Sequence, residues 1–152
     1  MNKTKLAIDN TDVLIMSELI ADAKLPLREL AKRTGVSFVT VLNRIGKLER
    51  QGVLKHYTAI IDYALLGYAI KALIQLRIAK GKLLELDKKL AKFHNIYEVY
   101  DITGDFDTVL VCRFRTVREL DTFVKTIQTY DFVERTNTIL ILNTIKELPM
   151  RI

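Results

Sequence analysis

The chain has 152 residues, of which 24 are Lys or Arg and 18 Asp or Glu, for a formal net charge of +6. Hydrophobic residues make up 49% and charged residues 28%, and only two prolines occur, which excludes a disordered, collagen-like or low-complexity chain. The length fits one ordinary domain or two small ones. Cys112 is the single cysteine, which rules out an intramolecular disulfide and a thiolate zinc cluster and suits a reducing, cytoplasmic compartment.

Charge is unevenly spread. Residues 1–27 hold three bases and four acids, whereas residues 28–55 hold seven bases and two acids, a net +5. Residues 63–152 hold 14 bases and 11 acids, a net +3. A basic concentration of this kind suits a polyanionic partner better than the modest total does.

The first half reads as helices. Asp9 or Asn10 caps a helix to about Ile20, with Leu14, Ile15 and Leu19 as apolar positions and Asp12 in the first turn, where unpaired N–H groups favour an acid. A second helix starts near Pro26, where a missing N–H costs nothing, and buries Leu27, Leu30 and Ala31. Thr34-Gly35 ends it, with Gly35 suited to a left-handed position. Ser37 caps a third helix to about Arg50, whose Val41, Ile45 and Leu48 form an inward stripe, and Gly52 closes it. The short Thr34-Gly35-Val36-Ser37 connection predicts a helix-turn-helix, whose second helix enters a major groove.

The period changes at Val53. Residues 53–67 read as an extended linker, after which Ile70–Ile78 alternates as a half-buried strand. Gly81 precedes a helix over Lys82–His94 with the stripe Leu83, Leu86, Leu90 and Phe93. Strands are predicted over Ile96–Thr103 and Thr108–Phe114, with a turn at Gly104-Asp105 between them. Thr116-Val117-Arg118-Glu119 reads as a capping box that opens a helix with Leu120, Val124 and Ile127 inward, and a last strand covers Val133–Thr144. The predicted class is α+β: an N-terminal helix-turn-helix domain over 1–52, then a ferredoxin-like β-α-β-β-α-β domain over 68–152. Helices cover one sheet face; the other, carrying Leu73, is expected to meet a second subunit or a ligand.

With Val41, Ile45 and Leu48 inward, Val39, Asn43, Gly46, Lys47 and Arg50 point outward, with Phe38 and Leu42 on a flank. Ser37, Thr40 and Asn43 can bond phosphates or base edges, Phe38 and Val39 can touch a thymine methyl, and Arg44 and Lys47 can reach backbone or base. Arg28, Lys32, Arg33 and Lys55 suit phosphate contacts at the rim. A solvated basic face on an ordinary three-helix domain, or an RNA partner, would use the same charges. Two large apolar side chains beside the cap favour duplex DNA.

These residues also carry a family resemblance. Gly35-Val36-Ser37-x-x-Thr40-Val41-x-Asn43-Arg44-Ile45-x-Lys47-Leu48-Glu49-x-x-Gly52-Val53-Leu54 resembles the leucine-responsive regulator/AsnC family of prokaryotic transcription regulators. So do Asp9-x-x-Asp12, the run Tyr57–Asp62 followed by Leu66-Gly67-Tyr68, and Val99–Asp107. The resemblance spans essentially the whole chain. It implies a sequence-specific DNA-binding regulator that responds to a free amino acid or similar effector. It also implies a homodimer that assembles to a tetramer or octamer. The implied effector residues are Tyr100, Thr103, Gly104, Asp105 and Asp107, with Thr136 and Thr138 on the last strand. Where family members commonly read Pro-Gly-Val after a helix, this chain has Tyr130-Asp131-Phe132-Val133.

No cofactor, metal site, catalytic group or membrane attachment is expected. His56 and His94 lack a ligand pattern, Cys112 reads as a buried inert thiol, and no phosphate loop or nucleophile elbow is present. The competing functions are an architectural DNA-binding protein and a siroheme-decarboxylase-like enzyme. The enzyme would need a tetrapyrrole cleft, for which only His94 suggests itself.

Overall fold

The computed structural model describes residues 7–79 and 82–152. It divides into two compact units, Met1–Ile60 with Lys146–Ile152 and Ile61–Ile145.

The first unit holds α1 (Asn10–Ala21), α2 (Leu27–Thr34) and α3 (Phe38–Arg50). Asp9 caps α1 in a reciprocal box: its carboxylate accepts the Asp12 N–H at 3.0 Å, and the Asp12 carboxylate accepts the Asp9 N–H at 3.3 Å. Ile15, Leu19, Leu25, Leu30, Ala31, Val41 and Ile45 pack as one core. Leu14, expected inside, is exposed; the buried face of α1 is Asp12, Ile15, Met16 and Leu19, spaced as one helical stripe. The Ser17 hydroxyl donates to the Ile152 carbonyl, tying the chain's end to α1.

Residues 55–62 carry no regular ladder, and residues 63–67 form a turn. Asp62 accepts the Ala64 N–H and the Tyr68 N–H returns to the Tyr63 carbonyl, so the chain coils there rather than extends.

The second unit runs β1 (Ile70–Ile78), α4 (Leu83–Leu90), β2 (Ile96–Asp101), β3 (Thr108–Phe114), α5 (Val117–Gln128) and β4 (Val133–Ile141). The strands form one sheet ordered β2-β3-β1-β4 with every neighbouring pair antiparallel, the expected ferredoxin-like order. Ala72, Ile74, Leu76 and Ile78 meet Leu110, Cys112 and Phe114 beneath Leu86, Leu90, Leu120, Phe123 and Ile127. Val124, expected inward, packs partly buried against this core, and Phe123 takes the deeper place. Gly81 and the Leu83 side chain lie outside the described residues.

Several ends differ from the expected ones for local reasons. α4 stops at Leu90 because the chain folds into a turn, with the Phe93 N–H on the Leu90 carbonyl. β2 stops at Asp101 because the Ile102 N–H turns to the Asp107 carbonyl. β4 stops at Ile141, where its partner β1 has reached Lys71. At α5 the Thr116 hydroxyl accepts the Glu119 N–H as expected, but the Glu119 carboxylate takes the Arg115 N–H, so the box closes one residue early. At Tyr130-Asp131-Phe132-Val133 the Val133 N–H bonds the Tyr130 carbonyl and the Tyr130 and Phe132 rings stack at 5.5 Å, a turn that needs no glycine.

The register assigns each strand residue to a face, because directly paired residues project to the same side. Leu73 pairs with Val111 and Ile139, and Gln75 with Val109 and Asn137. These residues form the face away from the core, where the Asn137 amide donates to Gln75 at 2.8 Å.

Candidate nucleic-acid interface and effector turn

The connection between α2 and α3 is set by short-range chemistry. The Thr34 hydroxyl, buried, donates to the Leu30 carbonyl at 2.7 Å. Gly35 takes φ 70°, a left-handed conformation open to glycine at no steric cost. The Val36 N–H then closes on the Ala31 carbonyl at 3.1 Å. The Ser37 hydroxyl oxygen accepts the Thr40 N–H at 3.1 Å and lies 2.8 Å from the Thr40 hydroxyl. Val41, Ile45 and Leu48 are buried, so the opposite side of α3 is left outward. Phe38, Val39, Leu42 and Asn43 are exposed there, with Val39 at 61%.

The cations divide into two groups. Arg28 and Lys32 are exposed and make no ion pair among the described residues. Arg33 is exposed too but bonds Glu18 at 3.0 Å and Glu29 at 3.2 Å. Arg44 and Lys47, expected to reach DNA backbone or base, are engaged within the fold. Arg44 bonds both Asp9 and Asp12, the latter at 3.2 Å. Lys47 bonds Asp12 at 3.1 Å and the Ala7 carbonyl at 2.9 Å. The cause is Asp12, whose residue exposure is 0%: a carboxylate with no access to water needs counter-charges within the fold. Burial disfavours its charge, yet the bonds from Lys47, the Asp9 N–H and Arg44 hold its pKa below the ordinary carboxylate value. The Asp12 N–H, then Arg44, lower that of Asp9 as well.

The turn between β2 and β3 is built on Gly104, at φ 116°. Thr103, Gly104 and Asp105 are exposed. Arg77, which sequence reasoning missed, reaches across from β1 and donates to the Asp105 carbonyl at 2.8 Å. Arg135 from β4 lies over the Phe106 ring at 5.4 Å. Asp107 differs from Asp105: its carboxylate accepts the Ile78 N–H at 2.8 Å and its own N–H bonds the Leu76 carbonyl at 3.0 Å, so it anchors the loop to β1. Tyr100 is exposed and pairs with Val109, which sets it on the face away from the helices. Thr136 pairs with the core residue Leu76 and Thr138 with Ile74, on the opposite face, and the Thr136 hydroxyl accepts from Gln128 of α5. The structure thus brings Thr103, Gly104 and Asp105 together but sets Tyr100 and the two threonines on opposite sides of the sheet.

Cys112 is fully buried, and burial pushes its thiol up to about 12. Among the described residues no group of His, Cys, Asp and Glu is arranged to hold a metal ion, and no helix is long and apolar enough to cross a membrane.

A basic helix-turn-helix followed by a ferredoxin-like unit with a polar turn defines a two-part regulator, and comparison with known proteins agrees. Residues 8–49 match the AsnC-type helix-turn-helix domain and residues 71–150 the Lrp/AsnC ligand binding domain; the chain belongs to the Lrp/AsnC family of transcriptional regulators. It is 41% identical over 143 residues to the HTH-type transcriptional regulator FL11 of Pyrococcus horikoshii, covering 94% of this chain and 95% of that one. Among solved structures it resembles AsnC of E. coli, with a TM-score of 0.89 and 25% identity over 96% of this chain and 99% of that one. It likewise resembles the feast or famine regulatory protein of M. tuberculosis complexed with L-methionine, with a TM-score of 0.85 and 29% identity over 94% and 100% of the two chains. These relatives are regulators of transcription, not enzymes.

Proposed function

We propose that α3 reads a DNA major groove with Ser37, Phe38, Val39, Thr40 and Asn43, while Arg28 and Lys32 bind flanking phosphates. One observation carries this reading. The first two turns of α3 present an amide and large apolar side chains outward, next to cations that no acid neutralises among the described residues. Phosphate contacts would fix position and the base contacts would supply sequence choice. Arg33, Arg44 and Lys47 join the contacts only by sharing or exchanging their carboxylate partners.

The second unit binds a free amino acid at Thr103, Gly104 and Asp105. Asp105 faces the ammonium group and the turn's N–H groups face the carboxylate; Asp107 is already engaged by β1. The M. tuberculosis relative in complex with L-methionine supports this ligand class. A homodimer forms through the open sheet face of Leu73, Val109 and Ile139, which presents partly exposed apolar side chains. Larger assemblies, tetramers or octamers, are built from that dimer in the cytoplasm.

The DNA reading is tested by salt-dependent binding of two variants to the same duplex. Lys32→Ala is expected to lower the slope of log K against log salt by about 0.9 and to weaken specific and random duplexes alike. Asn43→Ala is expected to cost about 1–3 kcal/mol on the preferred duplex and little on random DNA. Equal losses on both duplexes for Asn43→Ala would contradict base reading by α3.

A further inference from the structure

At the end of the sheet away from the effector turn, the second unit holds a cavity of about 760 Å³, within the range of about 300–1,000 Å³ usual for small-molecule sites. It lies between the start of β2, the end of β3 and the outer face of α5. Its floor is the half-buried Phe93 ring, which meets the buried Phe123 edge-on at 5.0 Å; Phe114, also buried, lies 5.4 Å from Phe123. Among the described residues its charged lining is Arg113, Arg115 and Arg118 against the Glu119 carboxylate, beside the neutral Thr116, Thr122 and Thr126. That carboxylate already accepts the Arg115 N–H at 2.8 Å.

The guanidinium of Arg115 lies over the Tyr68 ring, 4.8 Å from its centroid. A guanidinium placed over a ring loses side-chain freedom in advance and still has N–H groups to offer a carboxylate or phosphate. Arg118 is exposed and makes no ion pair among the described residues. The cavity also meets the first turn of α5, where the helix dipole adds to the positive field.

We propose that this cavity is a second ligand site, which takes an organic anion whose acidic head meets Arg115 and Arg118 and whose flat apolar body rests on Phe93. A bare inorganic anion would leave the half-buried Phe93 ring uncovered, and a neutral apolar molecule would leave Arg115 and Arg118 without an anionic partner. The site is separate from the effector turn: β3 runs from one to the other, and its length at strand rise is about 20 Å. A ligand held there touches β3 and α5 but neither Gly104 nor Asp105.

The chain contains no tryptophan, so the emission of a naphthalene probe is readily isolated. The test is titration of the full-length chain with 2-naphthoate, followed by fluorescence anisotropy. Saturable binding is expected, at least tenfold weaker for 2-naphthamide, which lacks the charge. Arg115→Gln and Arg118→Gln are each expected to weaken naphthoate at least tenfold with unchanged circular dichroism, whereas Asp105→Ala is expected to keep the native affinity. Benzoate should displace the probe at lower concentration than inorganic phosphate does. Absence of saturable binding, equal affinity for the amide, or native affinity in both arginine variants would overturn the proposal. Loss of binding in Asp105→Ala would assign the probe to the effector turn and overturn it equally.

Discussion

Asp12 is the residue on which the geometry of the DNA-binding head converges. Its carboxylate has no exposure and is met by Arg44, Lys47 and the Asp9 N–H, which link the first turn of α1 to the middle of α3. Because the pKa values of Asp12 and Asp9 are lowered on folding, their stabilisation is fully present above the unfolded value of about 3.9 and is lost as pH falls through the folded values. The melting temperature is therefore expected to stay level down to about pH 5 and to fall steeply below about pH 4. Asp12→Asn should destabilise the native state by about 2 kcal/mol at pH 7 and flatten that acid limb; an unchanged limb in the variant would exclude Asp12 as its source. The sequence disclosed Asp12 as a first-turn acid but not as a buried residue. The signal was there in the spacing Asp12, Ile15, Met16, Leu19, which places a carboxylate on an apolar stripe. An acid on such a stripe calls for cations elsewhere in the fold, and assigning Arg44 and Lys47 to DNA alone overlooked that demand.

At the scale of elements, the turns that depend on one backbone conformation were the most legible. Gly35 at φ 70° and Ser37 as cap were both readable from residue type, because few other residues serve those positions. Strand ends were less so: β4 ends where β1 runs out of partners, and no local residue announces that. The face occupied by Thr136 and Thr138 likewise depends on register, since one residue of slip inverts it. The turn from Thr103 to Asp105 is the element to which the proposed effector role belongs. A thermal-shift screen of the free amino acids should find at least one that stabilises the native chain, and Asp105→Ala should weaken that amino acid at least tenfold without changing DNA affinity in its absence. A screen in which no amino acid shifts the native chain, or an equal response in the variant, would contradict an effector role for this turn.

At the scale of the whole molecule, one unit carries the helix-turn-helix and the other an open sheet face with apolar side chains. Dimers built through that face would present two heads, so binding free energies combine and a site with two half-sites is favoured over one. An effector can then alter DNA occupancy only by binding one assembly or conformation better than another. An architectural protein would keep the same fold and the same basic face; what separates the two is the ratio of specific to random affinity. The most direct measurement is selection of bound duplexes from a random pool by the full-length chain, at one fixed salt concentration. Recognition by a pair of α3 helices predicts an enriched, roughly two-fold symmetric motif with half-sites about one helical turn apart, about 10 base pairs. Retained duplexes with no enriched motif would contradict sequence reading by α3.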